Sequence, residues 1–196
     1  RASFAAEPYW GRPIAGWGDP DPGVLIVGLA PAAHGGNRTG RIFTGDRSGD
    51  WLFASLHRTG FANQPTSVSV DDGLALADVY IAAAVRCAPP ANKPTTEERD
   101  TCIGYLIREA RALASVEVVV ALGSFAWDAA LRVAAEIGHS VPRPKPRFGH
   151  RSEAVVAPWT LLGSFHPSQQ NTFTGRLTEP MLDDVFLRAR EIAGLE

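Results

Sequence analysis

The stretch "VLIVGLAPAAHGGNRTGRIFTGDRSGD", residues 24–50, joins an apolar run to a loop and holds six glycines, three arginines and the acids Asp46 and Asp50. The run Val24–Gly28 is short, continuous and rich in β-branched residues, which predicts a strand buried on both faces. A polar loop with so much backbone freedom, placed directly after such a strand, is where α/β proteins bind ligands. Working outward, further runs predict strands over 78–85, 116–122, 154–156 and 160–164. Helical patterns cover 48–59, 95–113, 124–137 and 178–193, and Thr95 with Glu98 has the spacing of a capping box. Strands alternating with helices predict an α/β fold with a parallel sheet covered on both faces.

Composition narrows the function classes. The chain has 196 residues, 45% hydrophobic and 20% charged, which fits one domain over 1–196 with a substantial core. No apolar run approaches the roughly 18 residues of a membrane helix, and no basic-then-apolar leader opens the chain, so a cytoplasmic protein is expected. The first residue is Arg1 rather than Met, which suggests natural sequence upstream. Cys87 and Cys102 are too few for a disulfide framework. The net charge of −2 argues against bulk attraction to nucleic acid. Local charge is uneven, however. Arg38, Arg41 and Arg47 crowd the first loop, and Arg143, Lys145, Arg147 and Arg151 share an acid-free stretch around "VPRPKPRFGHR" (141–151). A phosphate-contacting face needs that kind of asymmetry.

The first loop fails two nucleotide-binding tests. Gly35 and Gly40 have P-loop separation, but Arg41-Ile42 stands where Lys-Ser or Lys-Thr is required, and the glycines lack G-x-G-x-x-G spacing. Two more polar loops begin where predicted strands end, at 86–95 and 164–177. Their convergence with the first would make a pocket. Of the five histidines, His57 sits in a predicted helix and His139 in a loop, whereas His166 follows a strand and precedes Pro167, a position from which an imidazole reaches a ligand.

The motifs "GLAPAAHGGNRTGRIFTGD" (28–46), "AAVRCAPPANKPT" (83–95) and "SFHPSQQNTFTGRL" (164–177), in this order, resemble the family 5, type B, uracil-DNA glycosylases. The likeness runs from "YWGRP" (9–13) through the last helix. It implies a three-layer sandwich about a central four-stranded parallel sheet, with DNA across its carboxyl edge and the target base flipped into a pocket. It further implies that Gly28, Leu29 and Ala30 border the base, that Phe43 stacks on it, and that Asn92 contacts the base or the water. Asp46 matches the carboxylate that stabilises the sugar cation or orients water, with Asp50 as a rival, and His166 matches the donor to the uracil oxygen. Arg38, Arg41, Ser168, Gln169, Gln170, Asn171 and Arg176 are the implied DNA contacts, with Phe173 or Leu177 as a wedge in the minor groove.

The resemblance also implies a [4Fe-4S] cluster in which Cys87 and Cys102 are two of four ligands, the others belonging to an N-terminal segment. No metal is needed for the chemistry, and Lys93 as the sole lysine in these loops speaks against a Schiff-base lyase step. The reading is therefore a monofunctional, monomeric, nucleoid-associated enzyme that removes uracil, hypoxanthine or other damaged bases from double- or single-stranded DNA and leaves an abasic site. Two other readings stay open at this stage: a damaged-base reader that does not cut, and metal-assisted hydrolysis by His34, Asp46, Asp50 and His166.

Overall fold

The central strands assemble because their residues are apolar on both faces. Val24–Gly28 (β2) and Val118–Leu122 (β4) are buried at every position, as β-branched runs between two helical layers must be. Val79–Ala83 (β3) and Trp159–Ser164 (β6) flank them in parallel register, with Ile26 opposite both Ile81 and Val120. Two edge strands run antiparallel: Trp17–Gly18 (β1) on β3 and Glu153–Val156 (β5) on β6. The computed structural model, which describes residue 4 and residues 6–195, thus contains a mixed sheet of six strands in the order β1-β3-β2-β4-β6-β5. This corrects the expected count of four. β1 spans only two residues and carries no periodic signal, and β5 pairs with β6 as a hairpin rather than through a crossover. Arg1, from which upstream sequence was inferred, lies outside the described residues.

Helices cover both faces. On one, Arg47–Arg58 (α2) and Glu179–Ile192 (α6) pack Leu52, Phe53, Leu56, Leu182, Val185 and Phe186 against Val24, Ile26, Val79 and Val120. On the other, Thr96–Ala112 (α3) and Ser124–Glu136 (α4) cover Leu25, Val27, Val119 and Ala121 with Leu106, Ala130 and the fully buried Trp127. The predicted capping box at Thr95 and Glu98 is present, with both reciprocal hydrogen bonds made. Two short helices complete the set: Gly36–Thr39 (α1), which we number first in chain order, and Gln169–Phe173 (α5). No helix among the described residues is long and apolar enough to cross a membrane.

The predicted strand over 78–85 is shorter than expected at both ends. Asp78 adopts φ 59, outside the β region, so the ladder cannot begin there. Past Ala83 the chain still hydrogen-bonds to the neighbouring loop, through Ala84 N–H to Gly28 O and Val85 N–H to Leu29 O. These bonds hold the ends of β2 and β3 together where the first loop leaves the sheet.

Candidate active site

Three loops meet beyond the carboxyl ends of β2, β3 and β6 and enclose a cleft of about 600 Å³. Its walls include Leu29, Ala30, Phe43 and Asp46 from the first loop, Asn92 and Lys93 from the second, and His166, Ser168, Gln169 and Gln170 from the third. Clefts at this edge of a parallel sheet are the usual ligand sites of α/β proteins. Backbone strain gathers here as well. Among the described residues five non-glycines have positive φ, and three of them, Phe43, Ala91 and Asn92, line this cleft. Such conformations persist only where surrounding structure imposes them, and they cluster at binding and catalytic sites. In the second loop they occur in the 3₁₀ turn Pro90–Asn92, which presents an exposed Asn92 to the cleft.

Glycines make the space for Phe43 and Asp46. Gly28 leaves room for the Phe43 ring, since a Cβ there would lie 2.8 Å from its Cε2 atom. Gly49 lets the first turn of α2 pass the Phe43 carbonyl oxygen, which any Cβ would overlap. Gly35 stands against Asp46 in the same way: a side chain there would collide with Oδ2. Phe43 faces His166 with ring centroids 5.9 Å apart and 34° between planes, so an aromatic face and an imidazole share one corner of the cleft.

Asp46 is the N-cap of α2, its Oδ1 accepting the Gly49 N–H at 3.0 Å. A capping carboxylate on the positive end of a helix ordinarily becomes more acidic. Here burial outweighs the N–H groups of Gly49 and Ser48, and with Asp50 adding like charge it pushes the carboxyl above its ordinary value. A raised carboxyl is closer to the range where it can accept a proton. The His166 imidazole moves the other way: enclosure in the cleft wall lowers it to about 4, so near pH 7 it is neutral and able to donate a hydrogen bond without carrying charge. Asp50, the rival carboxylate, is exposed in the first turn of α2 and does not line the cleft.

Several expected DNA contacts have other employment. Arg41 is buried in an ion pair with Asp72 and cannot reach a phosphate. Arg38 donates to Glu7 at 2.6 Å and to the His34 carbonyl at 2.9 Å, with its guanidinium over the Phe4 ring. Ser168 caps α5, and Asn171 Nδ2 donates to the His166 carbonyl at 2.8 Å, so both shape the third loop from within. Gln169, Gln170 and Arg176 are exposed, Arg176 lying over Phe165. Leu177 is fully buried and therefore cannot be the wedge, whereas Phe173 is 69% exposed with Arg47 over its ring. Of the second basic stretch, Arg143 and Lys145 border a separate cleft beside the C-terminal part of α4, where Lys145 pairs with Asp128.

Cys87, exposed just after β3, and the half-buried Cys102 on α3 bracket the loop that carries Asn92. Burial and the charge of Cys102 raise the Cys87 thiol above its ordinary value. Among the described residues no three His, Cys, Asp or Glu side chains gather as a metal-binding group, so His34, Asp46, Asp50 and His166 do not form the ligand set that metal-assisted hydrolysis would need. Sequence reasoning missed Tyr9, whose hydroxyl shares a 2.7 Å hydrogen bond with His34 Nδ1 at the cleft, because their 25-residue separation carries no local signal.

The raised Asp46 carboxyl has a consequence for stability. Between the ordinary carboxyl value of 3.8 and its raised folded value, the native state binds more protons than the unfolded chain, so stability is lost as pH rises through that window. Asp46→Asn keeps the cap and removes the buried charge. Thermal unfolding is expected to show a higher midpoint for the variant than for wild type at pH 7, with the gap closing below pH 3.8. A lower midpoint at pH 7 would mean that the charge is stabilised as in an ordinary cap.

Comparison with known proteins agrees with this geometry. A family model, the uracil DNA glycosylase superfamily, matches residues 15–189. The type-5 uracil-DNA glycosylase of Mycobacterium bovis is 56% identical over 198 residues, covering 100% of this chain and 72% of the relative. That of Mycobacterium leprae is 55% identical over 197 residues, covering 100% and 84%. The Thermus thermophilus type-5 enzyme is 46% identical over 201 residues, covering 100% and 87%. With Phe43, Asp46, Asn92 and His166 converging on one cleft and full-length relatives at these identities, the chain belongs to the uracil-DNA glycosylase superfamily, alongside its type-5 members.

Proposed function

We propose that this protein is a monofunctional glycosylase that flips uracil out of DNA and hydrolyses its N-glycosidic bond, leaving an abasic site. The observation that carries the reading is the pairing, in one cleft, of a carboxylate raised by burial with a neutral imidazole 5.9 Å from an aromatic face. Uracil stacks on Phe43, and Asn92 bonds to its edge with an amide that both donates and accepts. The C1′–N1 bond breaks with its electron pair passing to the base. His166 donates to the uracil oxygen on which negative charge grows, and because it is neutral it does so without first having to be charged in a desolvated site. Asp46 faces the positive sugar and accepts the proton of the water that adds to C1′. Uracil then takes a proton from solvent, and Asp46 releases its own to solvent and returns to the carboxylate.

Leu29 and Ala30 border the cleft without a polar side chain, which leaves room for larger deaminated bases such as hypoxanthine. Gln169, Gln170 and Arg176 meet the backbone of double- or single-stranded DNA, and Phe173 fills the gap left by the flipped nucleotide. The enzyme works as a monomer and acts in the cytoplasm at the nucleoid.

The protein also carries Cys87 and Cys102 as two ligands of a [4Fe-4S] cluster, which requires four thiolates, the other two coming from beyond this chain's own cysteines. Cys87 is exposed and Cys102 half-buried, so both can be reached by ligands from a further segment. The group would supply a rigid cross-link rather than chemistry on the substrate, and the residues it would brace are those of the turn that presents Asn92. Iron and acid-labile sulfide assays on the native protein purified without oxygen are expected to find both in about fourfold amount per chain, as a cubane requires; protein free of iron would end the cluster assignment.

The activity is tested with a labelled duplex holding one U opposite G, incubated in excess EDTA and then treated with alkali. Wild type is expected to leave an alkali-labile site, and Asp46→Asn to lower the rate by about a hundredfold or more. Phe173→Ala is expected to slow excision from duplex far more than from single strands. Binding without any abasic product would instead make the protein a reader of damaged bases.

A further inference from the structure

The loop at 62–77 contributes nothing to the cleft walls, yet one of its acids is tied to the first loop by two hydrogen bonds and an ion pair. Arg41 Nη2 donates to both oxygens of Asp72, at 2.8 and 2.7 Å. Asp72 also accepts the backbone N–H groups of Val68, Ser69 and Leu74, and the Arg41 guanidinium together with these donors overcomes burial to hold its carboxyl down at about 2. Both side chains are nearly sealed from water, 8% and 5% exposed. Arg41 reaches back with Nε to Thr44 Oγ1 and with Nη2 to Ser67 Oγ, both at 2.9 Å, and its plane lies over Trp17. Thr44 and Ser67 share a 2.7 Å hydroxyl bond, and Gly45 N–H donates to the Ser67 carbonyl at 2.8 Å.

Three of these bonds land on the turn that separates Phe43 from Asp46, at Thr44 Oγ1 from Arg41 and from Ser67 and at the Gly45 N–H, and the rest hold Arg41 and Ser67 in place. A buried ion pair is a poor device for stability alone, because an apolar pair of similar volume does as well or better. It is a good device for fixing a turn, since each partner is held by several directional bonds at once. Glycine at 45, with φ 74, makes the turn tight and supplies no side chain, so Thr44 is the residue of the turn through which the clamp grips it.

We propose that Arg41, Ser67 and Asp72 form a clamp of positioning residues that sets where the Asp46 carboxylate and the Phe43 ring stand relative to the flipped nucleotide. The clamp touches no substrate and acts only through the 43–46 turn. It rests on the glycosylase reading above.

The test is single-turnover excision of uracil from duplex by Asp72→Asn, Ser67→Ala and Arg41→Lys, with duplex affinity, thermal midpoint and the pH dependence of the rate measured on each. Misplacing a reacting group by about 1 Å costs up to a hundredfold, so a rate loss of about tenfold or more is expected at nearly unchanged affinity. The acid limb of the pH profile is expected to move to lower pH. A loosened turn admits water to Asp46, and its carboxyl falls back toward 3.8. The other charged and titratable groups around Asp46 and the cleft are Asp50 and Arg47 on α2, Arg38 on α1 and His34 just before it, His166 after β6 and Lys93 in the second loop, and none is altered by the variants. A structural role alone would lower the midpoint and the folded fraction without moving the acid limb. Variants that fold and retain the wild-type rate or limb would overturn the clamp. If Asp72→Asn does not fold, the milder Ser67→Ala and Arg41→Lys decide by the same readouts. Wild type that leaves uracil in the duplex would overturn the glycosylase reading and the clamp with it; active wild type with unmoved variants overturns the clamp alone.

Discussion

The cleft depends on one constraint, the confinement of the Asp46 carboxylate between a glycine and a helix end. One oxygen is committed to the Gly49 N–H, which fixes the carboxyl plane, and the other rests against Gly35, where no side chain fits. A carboxylate held this way stays in the half-buried cleft wall, where burial outweighs its backbone hydrogen bonds. The same helix start that would stabilise its charge in water also orients it toward the cleft. Glycines are needed because the backbone passes within contact distance of the Phe43 ring at Gly28, of the Asp46 carboxylate at Gly35 and of the Phe43 carbonyl at Gly49.

The sheet turns this local arrangement into a site. Parallel strands deliver the first, second and third loops to one edge, and continued pairing of Ala84 and Val85 with Gly28 and Leu29 keeps two of them together beyond the last ladder residues. His166 arrives from β6 two residues past the strand end, its Cβ 3.6 Å from where a Cβ at Gly123 would stand. Burial then acts on the two groups in opposite senses, raising the acid and lowering the imidazole. That divergence is how one environment assigns two roles in acid–base chemistry.

The central strands and the four long helices were legible because apolar periodicity is a local property, and Thr95 with Glu98 announced its helix through a cap that needs only four residues. The edge strand β1 was not legible, since two residues have no period. At the site, Phe43, Asp46 and His166 could be named from motif and position. The fates of Arg38 and Arg41 could not. An arginine in a polar loop reads as a phosphate contact until a partner such as Asp72, 31 residues away, is known to be folded against it. Leu177 and Phe173 differ for the same reason: both are apolar residues in one loop, and only tertiary packing decides that one is buried and the other projects. Strain at Ala91 and Asn92 had no signal at all, because neither residue type demands a positive φ.

The most direct measurement is a crystal structure of the Asp46→Asn variant bound to a duplex containing one uracil. The account predicts the uracil extruded into the cleft, stacked on Phe43, with His166 within hydrogen-bond distance of a uracil oxygen and residue 46 facing C1′ of the sugar. A uracil still stacked in the duplex, or one lodged in the cleft beside the C-terminal part of α4, would contradict it.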